Sequence, residues 1–348
     1  MATPRIYNLC FLGFGNVNRT LVRLLEERAV ELREKHGITF RISGIASRRL
    51  GWVADPNGLD LERVESELKG RGFSRAAGAP QETGALAAAA KDWLAAARAD
   101  VLFEATSLNI EAGQPAVDHI RAALDHGAHA ITANKGPIVH AYRELRDLAA
   151  ACGKRFLFES TVMDGVPVFS LFDQLPAVHV NGFHGILNST TNVILGEIEN
   201  GLSLGEALKK AQALGIAETD ASHDLDGWDA AVKTAALITV LMDIPIRLDQ
   251  IEREGIRDLT PQAVRNARFD GHPYKLVCRA KREGDSVRAS VRPEKVLIGT
   301  PMAGISGTSS YVAFNTDIFP LLAITEQDPG LYATAYGMLA DFVRAVRD

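Results

Sequence analysis

The first 158 residues alternate between short apolar runs and stretches whose apolar residues recur at helical spacing. IYNLCFL (6–12), FRISGIA (40–46), VLFEA (101–105), AHAIT (128–132) and RFLFE (155–159) are short, largely apolar runs, as expected of strands buried on both faces. Between the first two, Val17, Leu21, Leu24, Leu25 and Leu32 follow the period of one helix face. ALAAAAKDWLAAAR (85–98) reads as an Ala-rich helix, and two more helices are expected over 112–126 and 139–152, ending at Gly127 and Gly153. A polar, glycine-rich stretch covers 51–84. Strand–helix alternation needs crossover helices, so the fold class expected here is α/β, with a parallel sheet wound on both faces.

From about residue 160 the rhythm changes. TTNVILGEIENG (190–201) is helical in pattern, and SLGE (203–206) has the form of a capping box opening a helix with Leu204, Leu208, Ala211 and Leu214 on one face. WDAAVKTAALITVL (228–241) is a strong helix stopped by Pro245. Strand-like pieces follow, YKLVCRAKR (274–282), DSVRASVRP (285–293) and SSYVAFNTD (309–317), and the chain returns to a helix in DPGLYATAYGMLADFVRAV (328–346). Strands grouped after helices indicate a separate α+β domain.

Bulk properties narrow the function classes. A chain of 348 residues exceeds what one core normally supports, so two domains are expected. With 47% hydrophobic and 23% charged residues it is globular in composition, and its net charge of -5 is mixed along the chain, without the basic stripe that nucleic acid or a membrane surface would call for. No apolar run approaches the roughly 18 residues of a membrane span. The start, MATPRIYNLCFLGFG, shows no signal-peptide cleavage site. Cys10, Cys152 and Cys278 are far apart and lack metal-ligand spacing, which fits a reduced, cytoplasmic protein.

Candidate chemistry begins at LCFLGFGNVNRTLVRLL, which sets Gly13 and Gly15 between the first strand and the first helix, with Asn16 and Val17 opening the helix. In this context the first glycine allows a tight turn, the second admits a pyrophosphate, and the helix N-terminus offers N–H groups, as in a Rossmann-type dinucleotide site. The third glycine of the usual pattern is replaced by Asn18. The second strand ends in Ser47-Arg48-Arg49, with no acid for a ribose hydroxyl, which favours the 2′-phosphate of NADP over NAD. Thr106 and Ser107 follow the third strand, and Asn134 and Lys135 the fourth, at the carboxyl edge where ligands bind in open parallel sheets.

The sequence resembles the homoserine dehydrogenase family. The resemblance is carried by GFGNV (13–17), TANKGP (132–137), ESTVMDGVP (159–167), GILNSTTNVIL (185–195) and AQALGIAETDASHDLDGWDAAVK (211–233), with a Pro-Gly segment at 328–342, in the family's order over nearly the whole chain. It corresponds to a short form without an appended regulatory domain. It departs from the family's usual pattern at Asn18, Ser189, Ala221, Met163 and Asp164. The resemblance implies a dinucleotide domain over 1–158 plus 329–348 and a substrate-binding and dimerisation domain over 159–328. It also implies NAD(P)H-dependent interconversion of L-aspartate 4-semialdehyde and L-homoserine, a step of threonine and methionine synthesis.

Residue by residue, the resemblance makes Lys233 the proton donor or acceptor and Lys135 a group that positions substrate beside the nicotinamide. Glu218 would hold the substrate ammonium, with Asp224, Asp229 and Thr190 completing the pocket. Gly330 falls in the segment returning to the nucleotide domain. Glu159, Val162, Asp164 and Val166 would bind a monovalent cation such as sodium through main-chain oxygens, and a homodimer is expected, with the apolar alternation of YVAFN suited to a shared sheet. From spacing alone, Asp229 and Lys233 share a helix face and could be an exposed ion pair, and His223 is a loop histidine with no metal-ligand partner. Alternative readings are a relative acting on another small hydroxy or oxo amino acid, and a nucleotide-binding sensor without turnover.

Overall fold

In the computed structural model, which describes residues 5–70 and 83–347, the apolar run 6–12 lies inside a six-stranded sheet. The elements in order are β1 (Ile6–Leu12), α1 (Asn16–His36), β2 (Thr39–Ser47), β3 (Gly51–Ala54), α2 (Leu61–Gly70), α3 (Thr83–Ala97), β4 (Val101–Glu104), α4 (Ala116–His126), β5 (His129–Thr132), α5 (Gly136–Ala151) and β6 (Phe156–Leu157). Strand order is β3-β2-β1-β4-β5-β6, parallel throughout except for β3. The order reverses between β1 and β4, which makes the carboxyl ends of these strands the switch point of a doubly wound sheet. The polar, glycine-rich stretch 51–84 contributes β3 and α2, while its residues 71–82 lie outside the described residues. β3 folds back antiparallel on β2, so Ser47-Arg48-Arg49 runs into a hairpin turn and not into a crossover.

The C-terminal helix, Leu331–Val346, completes this unit. Its fully buried Phe342 meets the rings of Tyr7, Phe40 and Phe103 at centroid distances of 6.0, 6.5 and 5.9 Å. The unit comprises Met1–Pro167 and Gly330–Asp348. Its limit falls beyond residue 158 because the next segment is tied to the C-terminal helix: Glu159 N–H donates to Asp341 Oδ2 (2.8 Å), Ser160 Oγ to the Thr334 carbonyl (2.7 Å), and Thr334 Oγ1 to Asp164 Oδ1 (2.6 Å). For the same reason the fifth expected strand is cut to Phe156–Leu157, and Glu159–Thr161 form a 3₁₀ turn.

The second unit, Val168–Pro329, contains α6 (Phe169–Asp173), β7 (Val180–Ile186), α7 (Ser189–Glu199), α8 (Leu204–Ala213), α9 (Ser222–Leu225), α10 (Trp228–Leu241), β8 (Glu252–Arg253), α11 (Pro261–Phe269), β9 (Tyr274–Glu283), β10 (Ser286–Lys295), α12 (Pro301–Gly304), β11 (Ser310–Thr316) and β12 (Leu322–Glu326). Its sheet runs β12-β11-β7-β9-β10-β8, antiparallel apart from the β10–β8 pair. α10 lays its Ala- and Val-rich face on β9 and β10. The Ser203–Glu206 capping box forms as its sequence indicates. β7, central in the sheet, has no clear strand signature because two positions are glycine: a Cβ at Gly185 would lie 2.3 Å from the Tyr311 carbonyl oxygen and one at Gly182 2.6 Å from that of Ala280. Neighbouring backbones approach too closely there for a side chain. The YVAFN alternation sits in β11, which is paired on both edges within its own sheet.

Candidate functional site

The acidic stretch between Gly215 and the start of α10 folds so that part of it turns inward. α9 is a single turn carrying Asp224, and Gly227 (φ 78°) reverses the chain into α10, whose first turn holds Asp229 and whose second holds Lys233. Lys233 Nζ lies 3.2 Å from Asp229 Oδ2 and donates to the Leu187 carbonyl at 2.7 Å. The side chains of Lys233 and Asp229 retain only 17% and 21% of their exposure. Leu187 is the last residue before Asn188, the N-cap of α7. Asn188 Nδ2 donates to both Asp224 Oδ1 (2.6 Å) and Asp229 Oδ2 (3.0 Å), while Asn188 Oδ1 accepts from the N–H and hydroxyl of Thr191, each at 2.8 Å.

Electrostatics follow from this crowding. Burial raises the pKa of Asp224, and the like charge of Asp229 raises it further; hydrogen bonds from Asn188 and Thr190 and the charge of Lys233 pull it back. Thr190, itself buried, thus belongs to the same cluster. Beneath the lysine, on β9, the wholly buried Cys278 thiol is pushed up to about 11 by desolvation and is uncharged. The result is a half-buried ammonium, two carboxylates and an amide, a set able to pass a proton to an oxygen that gains charge.

In the first unit, the chain leaves β1 through Gly13, whose φ of +83° lies in the left-handed region and whose Cβ would meet the Ala105 carbonyl oxygen at 2.5 Å. Only glycine fits there. Gly15 is exposed, has open space where a Cβ would stand, and caps α1 without any side-chain cap or first-turn acid. The exposed Gly15 and Asn16 and the half-buried Val17 therefore present an uncapped helix N-terminus, which suits a pyrophosphate. Asn18 is fully buried and donates to the carbonyls of Leu12 and Gly13 (both 3.2 Å) and Phe103 (3.4 Å), so it laces the turn to β4.

Beside this turn, Glu104 ends β4 wholly buried, its pKa raised by desolvation and held back by Thr106 and Thr132. It accepts from Thr132 Oγ1 (2.7 Å), Thr106 N–H (2.9 Å) and the Thr106 hydroxyl. Asn134 extends the network, donating to the Thr106 carbonyl (3.1 Å) and accepting from Gly136 N–H (2.9 Å). Lys135, half-buried, is framed between Asn134 and Gly136 as the cap of α5.

The segment 159–166 is built around buried charge. Glu159 Oε2 and Asp341 Oδ1 share Arg344 Nη1 at 3.3 and 3.0 Å, and burial pushes the Asp341 carboxyl up to about 7. Asp164 takes a left-handed φ of 46° in a turn closed by Val166 N–H to the Met163 carbonyl (2.9 Å). Among the described residues no three or more His, Cys, Asp or Glu side chains are grouped to hold a metal ion. A depression of about 730 Å³ on the second sheet, bordered by Arg279, Arg288 and Arg292, is not lined by Lys233, Asp229 or Asp224; there Arg279 and Arg292 are paired with Glu294, and Arg288 with Glu252.

Comparison with known proteins assigns both units. Residues 13–159 match the family model for the homoserine dehydrogenase NAD-binding domain, and residues 167–343 match that for homoserine dehydrogenase. The chain belongs to the homoserine dehydrogenase family. An NAD(+)-dependent homoserine dehydrogenase of Pseudomonas canavaninivorans is 35% identical over 97% of this chain and 95% of its own. A putative homoserine dehydrogenase from Archaeoglobus fulgidus superposes with a TM-score of 0.82 at 28% identity, covering 97% of this chain and 98% of that one. A hyperthermophilic archaeal homoserine dehydrogenase mutant solved with NADPH gives 0.78 at 25% identity, covering 98% of both chains. This homoserine dehydrogenase family member is thus a nicotinamide-dependent oxidoreductase with a Rossmann-type domain and a small-molecule substrate. Among its described residues no helix is long and apolar enough to cross a membrane.

The structure unites Lys233, Asp229, Asp224 and Thr190, and in the other unit it gathers Gly13, Gly15, Asn16 and Val17 at one turn and Thr106 and Lys135 around another. Glu218 is exposed, and its carbonyl accepts from Gln212. Asp226 turns away to pair with Arg257, and His223 is exposed. Arg48 is exposed and Arg49 half-buried at the β2–β3 turn; Ser107 and Gly330 are exposed, Gly330 as the cap of the C-terminal helix. Sequence reasoning missed Asn188, the Leu187 carbonyl and Glu104. The available signal for Asn188 was an Asn directly before a helical run, the usual N-cap position. A main-chain carbonyl leaves no such signal.

Proposed function

We propose that this chain catalyses the interconversion of L-aspartate 4-semialdehyde and L-homoserine, supplying threonine and methionine synthesis. The observation that carries the reading is the hold on Lys233: a half-buried ammonium clamped by Asp229 and the Leu187 carbonyl, on a helix that the family model covers. In the reductive direction the bound cofactor supplies hydride to the aldehyde carbon, and one proton is needed at the carbonyl oxygen. Lys233 donates that proton, and Asp229 stabilises the protonated amine until it is given up. Asp224 and Thr190 shape the pocket, Glu218 binds the substrate ammonium, and Lys135 orients the substrate and offsets charge. In the oxidative direction Lys233 accepts the hydroxyl proton.

The uncapped N-terminus at Gly15, Asn16 and Val17 fits the cofactor's pyrophosphate, with Thr106, Ser107 and Gly330 as further nucleotide contacts. Arg48 and Arg49, which follow the second strand where an acid for the ribose hydroxyl would otherwise stand in the sequence, support a preference for NADP, while the Pseudomonas relative is named for NAD(+). The unit Met1–Pro167 with Gly330–Asp348 is read as the dinucleotide domain, and Val168–Pro329 as the substrate and dimerisation domain. Main-chain oxygens of Glu159, Val162, Asp164 and Val166, along the segment where Asp164 takes a left-handed φ, are of the ligand type that suits a hard monovalent cation such as sodium. Exposed Ile318, Phe319 and Leu321 beside the edge strand β12 support a homodimer, and the free cysteines Cys10, Cys152 and Cys278 support a cytoplasmic setting.

The test is oxidation of NADPH and of NADH by the purified chain with L-aspartate 4-semialdehyde, beside aldehydes lacking its ammonium or carboxylate. Turnover selective for the semialdehyde supports the reading. Selectivity for another amino aldehyde points to a different substrate, and cofactor binding without turnover to a sensor.

A further inference from the structure

Asn188 divides its amide between two tasks. Its carbonyl oxygen closes the first turn of α7 on Thr191, and both hydrogens of its NH₂ group go to carboxylates from different helices, Asp224 on α9 and Asp229 on α10. Asp229 Oδ2, the oxygen that receives one of them, is also the oxygen nearest Lys233 Nζ. The preceding carbonyl, Leu187, holds that same Nζ. A two-residue junction between β7 and α7 therefore grips the lysine and both of its acids. With 3% exposure, Asn188 has no room to exchange these partners for solvent.

We propose that Asn188 is a positioning residue that sets the pH at which Lys233 exchanges its proton. The inference rests on Lys233 being the proton donor and acceptor. The amide donates to each carboxylate without adding charge, so it spreads part of their negative charge and lets two acids stand beside one amine. Among the described residues, the charged or titratable groups facing the lysine include Asp229 from α10, Asp224 from α9 and the uncharged Cys278 thiol from β9. Without the amide's N–H dipoles the carboxylates' charge is less offset at the lysine, and the ammonium then keeps its proton to higher pH.

Two substitutions separate this role from simple helix capping, because Ser and Asp are both good N-caps. Asn188→Asp keeps the cap and adds a third carboxylate, and Asn188→Ser keeps the cap and removes both bonds to the acids. The measurement is the pH profile of homoserine oxidation, with folding checked by circular dichroism and cofactor binding by fluorescence. The alkaline-rising limb moves up by about one pH unit in Asn188→Asp, in keeping with the effect of a nearby like-sign group on a titration. In Asn188→Ser it moves up by less, about half a unit on the same basis, with kcat reduced and cofactor affinity unchanged. If Asn188→Asp does not fold, the limb in Asn188→Ser decides. Folded variants whose limb stays at the wild-type pH overturn the proposal, even where kcat falls. A wild-type chain that does not oxidise homoserine instead overturns the reading of its function, so the two failures are distinct.

Discussion

Asp229 Oδ2 lies 3.2 Å from Lys233 Nζ, one helical turn away, with both side chains largely withdrawn from water. An exposed pair at this spacing is worth only about 0.3–0.5 kcal/mol. Here the pair is fixed by further bonds to Leu187 and Asn188, so its geometry is set by the fold and not by the pair alone. Asp229→Asn keeps the shape and removes the charge. It should lower kcat/KM by roughly 10²-fold, the usual scale of a proton-transfer contribution, with the melting temperature nearly unchanged. Steady-state kinetics beside a thermal melt check this, and wild-type kinetics in the variant would remove Asp229 from the account.

The direction of the reaction should show in its pH dependence. An amine of ordinary pKa, about 10.4, is protonated at neutral pH, ready to donate and unable to accept. Homoserine oxidation should therefore be faster at about pH 9 than at about pH 6.5, and aldehyde reduction should decline at alkaline pH as the ammonium is lost. Oxidation that is as fast in the acidic buffer speaks against a lysine base.

Asp224 carries a stability signature. Burial and then Asp229 raise its folded-state pKa, so its contribution to stability is full when protonated, below the ordinary carboxylate value, and is lost as pH rises through the folded value. Asp224→Asn fixes the neutral form. At neutral pH it should melt at the wild-type temperature or above, the advantage shrinking as pH falls, while turnover drops. A lower melting temperature at neutral pH would show that the carboxylate's bonds outweigh its desolvation.

Cofactor preference is tested at the β2–β3 turn. Arg48→Ala with Arg49→Ala should raise the KM for NADPH by about tenfold or more, on the scale of one lost charge-assisted contact to phosphate, and leave that for NADH unchanged. Equal effects on the two cofactors would leave the arginines without a role in the 2′-phosphate.

Much of this fold is legible from periodicity: the helix 228–241 falls on α10 residue for residue, and the run 6–12 on β1. Elements escaped where a neighbour's needs overrode local pattern. β7 was hidden by Gly182 and Gly185, which make room for adjacent backbones. β3 was hidden in a polar stretch because, among the described residues, it is an edge strand paired with β2. In the site, Asp229 and Lys233 were readable as an i,i+4 pair, but their burial was not, because it depends on Leu187 and Asn188, 46 and 41 residues away in sequence. Asn18 looked like a lost glycine, and the structure shows a buried amide lacing β1 to β4.

The most direct measurement is kcat/KM for L-aspartate 4-semialdehyde with saturating NADPH in wild type and Lys233→Ala, with NADPH affinity measured separately. The expected result is a fall of about 10²–10⁴-fold with cofactor affinity intact. Undiminished turnover in the folded variant would contradict the assignment of Lys233 as the proton donor.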